Sequence, residues 1–212
     1  MTPPQSFFMR PEGGGWLILC GGPADDATLA RAAALVQQAG SLLVLSANAA
    51  SREAVEMRLL ECNVASGLPG EVVTLMEGAS ADDRVAEATF IVIPDIAPPA
   101  ELASVFEDTG SGEVLLATLE AGAVVLAEGR SAEAVGEIIE AEVPTAGSGW
   151  LRNAIIQSHF APGTACRVLV KRPTMYRLGL GEHAALALGP QGEVEVWGEP
   201  APTVTLGAAW TR

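Results

Sequence analysis

Ser131 stands where an apolar strand gives way to a helix, and a hydroxyl at such a junction can act as a nucleophile. The run Gly122-Ala123-Val124-Val125-Leu126-Ala127 reads as a strand, Gly129-Arg130-Ser131-Ala132-Glu133-Ala134 follows, and a helical pattern covers residues 131–141. A serine on a tight strand-to-helix turn lifts its Oγ above the carboxyl edge of the sheet. The backbone N–H groups that follow then face developing negative charge. On this segment alone the commoner role is simpler, because serine is also a favoured helix N-cap. A serine nucleophile needs a base, and the chain has two histidines, His159 and His183. The base in turn needs a carboxylate to orient it. Glu182 and His183 are neighbours on a strand pattern and point to opposite faces, so they do not read as a metal pair.

These residues need a scaffold, and the pattern supplies one. Trp16-Leu17-Ile18-Leu19-Cys20, Leu42-Leu43-Val44-Leu45, Val72-Val73-Thr74-Leu75 and Phe90-Ile91-Val92-Ile93 are runs apolar on both faces, as buried parallel strands are. Helical patterns separate them, at residues 27–39 (capped by Asp25 or Asp26), 51–66, 82–87 and 99–107. Strand and helix alternate up to about residue 141. This predicts an α/β fold, a mostly parallel sheet with helices on both faces. Beyond it, short strand patterns at 176–181, 184–188, 193–197 and 203–206 alternate with turns and read as antiparallel strands added at the C-terminal edge. A helix is expected around residues 166–170. Residues 1–15, rich in Pro and Gly, read as a flexible arm, and residues 16–212 as one domain.

Composition narrows the function classes. The chain has 212 residues, 49% hydrophobic and 18% charged, which suits one globular core. Its net charge of −14 argues against a nucleic-acid groove and against an anionic membrane surface. No apolar stretch reaches the roughly 18 residues of a membrane span, and the first 15 residues lack the apolar core of a signal peptide, so the expected compartment is the cytoplasm. Cys20, Cys62 and Cys166 are odd in number and widely spaced, and suggest neither a disulfide framework nor a metal site. The Gly13-Gly14-Gly15 and Gly21-Gly22 runs carry no phosphate-binding signature, and no cofactor is expected.

Three segments together resemble the cyanophycinase and peptidase E family of serine peptidases. The family's nucleophile lies in Gly-x-Ser-Ala-Gly-Ala, and this chain has Gly129-Arg130-Ser131-Ala132-Glu133-Ala134. The base in cyanophycinases lies in Asp-Gln-His-Phe, and this chain has Gln157-Ser158-His159-Phe160. The acid lies in a segment like Gly-Ile-Asp-Glu-Asn-Thr-Ala-Leu, and this chain has Gly179-Leu180-Gly181-Glu182-His183-Ala184-Ala185-Leu186. The resemblance spans most of residues 15–208. It implies a fold like that of class I glutamine amidotransferases. It also implies a triad with Ser131 as nucleophile, His159 as general base and acid, and Glu182 orienting His159. Ala132, Asp95 and Gln157 are then the candidates for the oxyanion and substrate site. The implied function is a serine-type hydrolase acting on short or unusual peptides. A peptide or other small substrate is its expected partner, and a homodimer is left open.

The departures from the family open a second reading. Glu133 replaces the second glycine of the elbow. Ile93-Pro94-Asp95-Ile96-Ala97-Pro98-Pro99 stands where the family has a Gly-Gly-Asn/Asp-Gln-like loop, and Pro94 has no N–H to donate. Residues 161–167 carry one basic residue where cyanophycinases carry several arginines, which makes cyanophycin an improbable substrate. The alternative is a catalytically silent relative kept for binding or assembly.

Overall fold

The apolar runs become the centre of one sheet because each is buried on both faces. In a computed structural model, which describes residues 8–38 and 40–210, β1 (Trp16–Cys20), β2 (Leu42–Ser46), β3 (Gly70–Thr74), β4 (Phe90–Ile93) and β5 (Val124–Glu128) form a parallel set. β10 (Ala185–Leu188) pairs antiparallel with β1, and β11 (Val194–Trp197) with β10. The sheet order is β11-β10-β1-β5-β4-β2-β3. This is the expected α/β architecture.

Alternation along each strand divides the core in two. Leu17, Leu19, Leu43, Leu45, Ile91, Ile93 and Val125 face one layer. That layer takes in α3 (Ala79–Glu87), α4 (Pro99–Thr109) and α5 (Ser111–Glu120) through Val85, Leu102, Phe106, Leu115 and Leu119. Ile18, Cys20, Leu42, Val44, Phe90, Val92 and Leu126 face the other. It is covered by α1 (Asp26–Ala33) and α2 (Arg52–Ser66) through Leu29, Val55 and Cys62. A period of two on the strands thus places successive side chains in opposite layers.

Local signals set most boundaries. The Asp25 carboxylate accepts from the Thr28 N–H at the start of α1, as the capping reading predicts. Gly67, at φ 70°, closes α2, and Pro99 opens α4. Other boundaries differ from expectation. α1 stops at Ala33, not residue 39, and α5 has no counterpart among the expected helices. The helix expected over 131–141 is α6 (Arg130–Val135). Gly136 ends it in extended backbone, and β6 (Ile138–Ile139) pairs with β7 (Thr145–Ala146) directly after.

The last third is only partly an edge addition. β10 and β11 extend the main sheet, but β8 (Ala154–Gln157), β9 (Tyr176–Gly179) and β12 (Thr203–Leu206) form a separate sheet in which β8 and β9 run parallel. α7 (Arg167–Lys171) lies between β8 and β9 in sequence.

The N-terminal arm needs a correction too. Residues 1–7 lie outside the described residues. Residues 8–15 are docked: Phe8 is buried edge-on to Tyr176, and Arg10 donates to the Gly15 and Leu188 carbonyls. An aromatic ring with core to cover outweighs the local Pro and Gly content.

Candidate functional site

The candidate site lies at the carboxyl ends of β1, β4, β5, β8 and β9. β5 ends at Glu128 and α6 begins at Arg130, so a single residue makes the turn. That residue is Gly129, at φ 51° and ψ −127°. A side chain is rarely tolerated in this conformation, and it is the kind of strained strand-to-helix turn on which a nucleophile elbow is built. Ser131 is therefore not at the elbow. It is the second residue of α6, 1% exposed, and its Oγ donates to the Pro94 carbonyl at 2.7 Å. The expectation of an unusual backbone at Ser131 is corrected: the elbow's conformation belongs to Gly129, two residues earlier.

The His159–Glu182 half of the expected constellation comes together. β8 delivers Gln157, and the chain turns so that the His159 N–H donates to the Gly21 carbonyl and the Phe160 N–H to the Leu180 carbonyl. His159 adopts φ 46°, uncommon for a residue with a side chain. Glu182 follows β9 and meets the His159 ring at Nδ1, with Oε2 at 2.5 Å. Gly21 lets these segments touch, since a Cβ there would fall 1.9 Å from the Gly181 carbonyl oxygen. His183 is exposed beside Asp25 and takes no part.

The other ring nitrogen does not meet Ser131. Nε2 faces the Asp95 carboxylate, with Oδ2 at 3.2 Å. Asp95 follows β4, and Arg130 donates to its Oδ1 at 2.9 Å. The same Oδ2 lies 2.2 Å from where a Cβ on Gly129 would sit. Asp95 thus fills the space of an elbow side chain and takes that side chain's place on the histidine.

The remaining candidates fall outside this contact set. Ala132 is fully buried, and its N–H donates to the Gly129 carbonyl at 3.0 Å, so it is not free to bind an oxyanion. The Gln157 side chain accepts from Arg177 at 3.4 Å, and its carbonyl accepts from the Leu180 N–H. Glu133 folds inward: its Oε1 accepts from the Ser158 N–H at 3.0 Å and from the Ser158 hydroxyl at 2.7 Å. Burial pushes its carboxyl above the ordinary range, while the Ser158 bonds pull it back. The His159 imidazole is raised above its ordinary value, first by Glu182; burial opposes this, and Asp95 adds to it. The residues that sequence reasoning missed are Gly129, as the elbow, and Arg130, as the clamp on Asp95. The apolar run ends at Ala127 and the helix was expected from residue 131, so three residues, 128–130, stood open for the turn and no signal singled out Gly129.

Beside the elbow, Glu128 is a buried carboxylate. It accepts from the Ala24 N–H and from the Arg58 guanidinium, which also donates to the Ala24 carbonyl. Burial pushes the Glu128 carboxyl up, and Arg58 pulls it back. Among the described residues, no group of three or more His, Cys, Asp and Glu is gathered to hold a metal ion, and no helix is long and apolar enough to cross a membrane.

Two solved structures share this architecture. A peptidase from an acI-B1 Actinobacterium superposes with a TM-score of 0.71 over 94% of this chain and 97% of its own, at 15% identity. The chain has a peptidase E-like fold. A protein assigned as a peptidase E from Listeria monocytogenes EGD-e matches with a TM-score of 0.61, over 89% of this chain and 100% of its own, at 13% identity. At such identities the likeness is one of fold. No protein-family model and no curated protein matches the sequence. The peptidase E-like fold brings His159 and Glu182 together here and puts glycine at the elbow.

Proposed function

We propose that this chain is a peptidase-fold protein that forms no acyl-serine and uses the surface around His159 and Glu182 to bind a small peptide-like ligand. The observation that carries this reading is the Asp95 carboxylate, seated in the space of the missing Gly129 side chain and bonded to His159 Nε2. A serine hydroxyl becomes a useful nucleophile only when a base can take its proton. The Ser131 hydroxyl instead donates a hydrogen bond to the Pro94 carbonyl, and His159 has a carboxylate on each nitrogen. The net charge of −14 makes nucleic acid a poor ligand.

A second reading keeps the serine hydrolase, with Ser131, His159 and Glu182 as triad and short peptides as substrates. The 2.5 Å contact between His159 and Glu182 favours it, because an oriented imidazole is half of a triad. It requires Asp95 to leave Nε2 and Ser131 to leave the Pro94 carbonyl.

A fluorophosphonate probe separates the two. The expected result is no labelling of the native chain above that of Ser131→Ala. Labelling of the native chain that disappears in Ser131→Ala would overturn the proposal and establish the hydrolase.

A further inference from the structure

We propose that His159 is a proton-operated latch on Asp95: protonated, it holds the Asp95 carboxylate over Gly129, and deprotonated, it lets Asp95 go and uncovers Gly129. The inference deepens the reading above and rests on Asp95 occupying the place of an elbow side chain.

The argument begins with donors and acceptors. A neutral imidazole has one N–H and one lone pair, and an ionised carboxylate can only accept. His159 faces Glu182 Oε2 through Nδ1 at 2.5 Å and Asp95 Oδ2 through Nε2 at 3.2 Å. Both bonds exist together only when both nitrogens carry a proton. Loss of one proton leaves a lone pair opposed to a carboxylate. The longer bond, to Asp95, is the one given up, and the N–H stays on Nδ1 for Glu182.

Every charged group facing this ring fits the scheme. Glu182 after β9 and Asp95 after β4 touch it, and Glu133 of α6 interacts with it through charge alone. All three favour the imidazolium. Arg130 of α6 opposes it and holds the other oxygen of Asp95. The Arg130 side chain is 50% exposed, so it can swing outward with Asp95 still attached. The backbone beneath need not move, because the Ser131 hydroxyl and the Ile96 N–H both hold the Pro94 carbonyl. Departure of the Asp95 side chain uncovers Gly129, where a Cβ-sized space is now blocked at 2.2 Å, and frees His159 Nε2 as a base. Because the Glu182 and Asp95 carboxylates raise the imidazole from its ordinary value, the latch releases at a higher pH than it would on an isolated histidine.

The test is a pH titration of the full chain by long-range proton–nitrogen NMR of the imidazoles, with His183→Asn to assign the two histidines. At about pH 6 both His159 nitrogens should be protonated, and Nε2 should lose its proton as pH rises. Asp95→Asn keeps the shape and offers an amide N–H to the Nε2 lone pair, so it should lower the His159 midpoint by about one unit. Diethyl pyrocarbonate, which attacks unprotonated imidazole, should then modify His159 about tenfold faster at neutral pH in Asp95→Asn than in the native chain. The same midpoint in both proteins, or a native His159 carrying one proton at pH 6, would overturn the latch. Probe labelling through Ser131 would overturn the silent reading instead, and leave the His159 titration to decide the latch.

Discussion

Placing a side chain on Gly129 should strain the chain twice, and the two strains can be separated. Gly129→Ala forces a Cβ into a sparsely populated conformation, φ 51° and ψ −127°, at a cost of about 1–3 kcal/mol. The new Cβ also lands 2.2 Å from Asp95 Oδ2 and 2.6 Å from its Cγ, so the carboxylate must rotate away. That breaks the contacts with His159 and Arg130. Each is worth roughly 0.5 kcal/mol, because His159 and Arg130 are each more than a third exposed and their charges are screened by solvent. The expected total is about 2–4 kcal/mol in urea unfolding. In an Asp95→Gly background only the backbone part remains, so the cycle should show a coupling of about 1 kcal/mol. Gly129→Ala costing less than about 0.5 kcal/mol would refute the strained elbow. A full cost with no coupling would refute Asp95 as the occupant of that space. The serine version carries a chemical readout: Gly129→Ser with Asp95→Gly places a hydroxyl beside His159 and should gain fluorophosphonate labelling that Gly129→Ser alone gains only weakly.

Three further outcomes follow from the same contacts. Arg58→Ala should cost about 3–5 kcal/mol by denaturant unfolding, because it strands the buried Glu128 carboxylate; a loss under about 1 kcal/mol would show that Ala24 alone satisfies it. Ser131→Ala should cost about 1 kcal/mol, the value of its bond to the Pro94 carbonyl, and leave probe labelling unchanged. The folded-state pKa of His159 is raised, so its contribution to stability is complete below the unfolded value near 6.5 and is lost as pH rises through the folded value. Asp95→Asn should flatten that part of the pH–stability curve, and a curve identical to the native one would contradict the assignment.

The sequence carried the architecture because burial and period are properties of neighbouring residues. Runs such as Leu42-Leu43-Val44-Leu45, apolar at every position, have no stable place except between two layers of helices, and the Asp25 cap could be read from type alone. His159 and Glu182 could also be found in advance, since a chain with two histidines offers few bases and the surrounding segments carry the family resemblance. Phe8 docking on Tyr176 could not, because nothing in a Pro- and Gly-rich arm announces a distant ring. The three-stranded sheet of β8, β9 and β12 was hidden for a similar reason: short strands reveal their period but not their partners. The decisive residue was hidden most completely. Gly129 and Ser131 are two positions apart in the same motif, and residue type favours the serine. Which of them sits on the elbow depends on where the ladder between β5 and its neighbours stops. It depends also on what stands above the turn, and that is Asp95, brought from 34 residues earlier in the chain by the end of β4. Spacing along a chain does not encode such an approach; it exists only once the strands have paired in register.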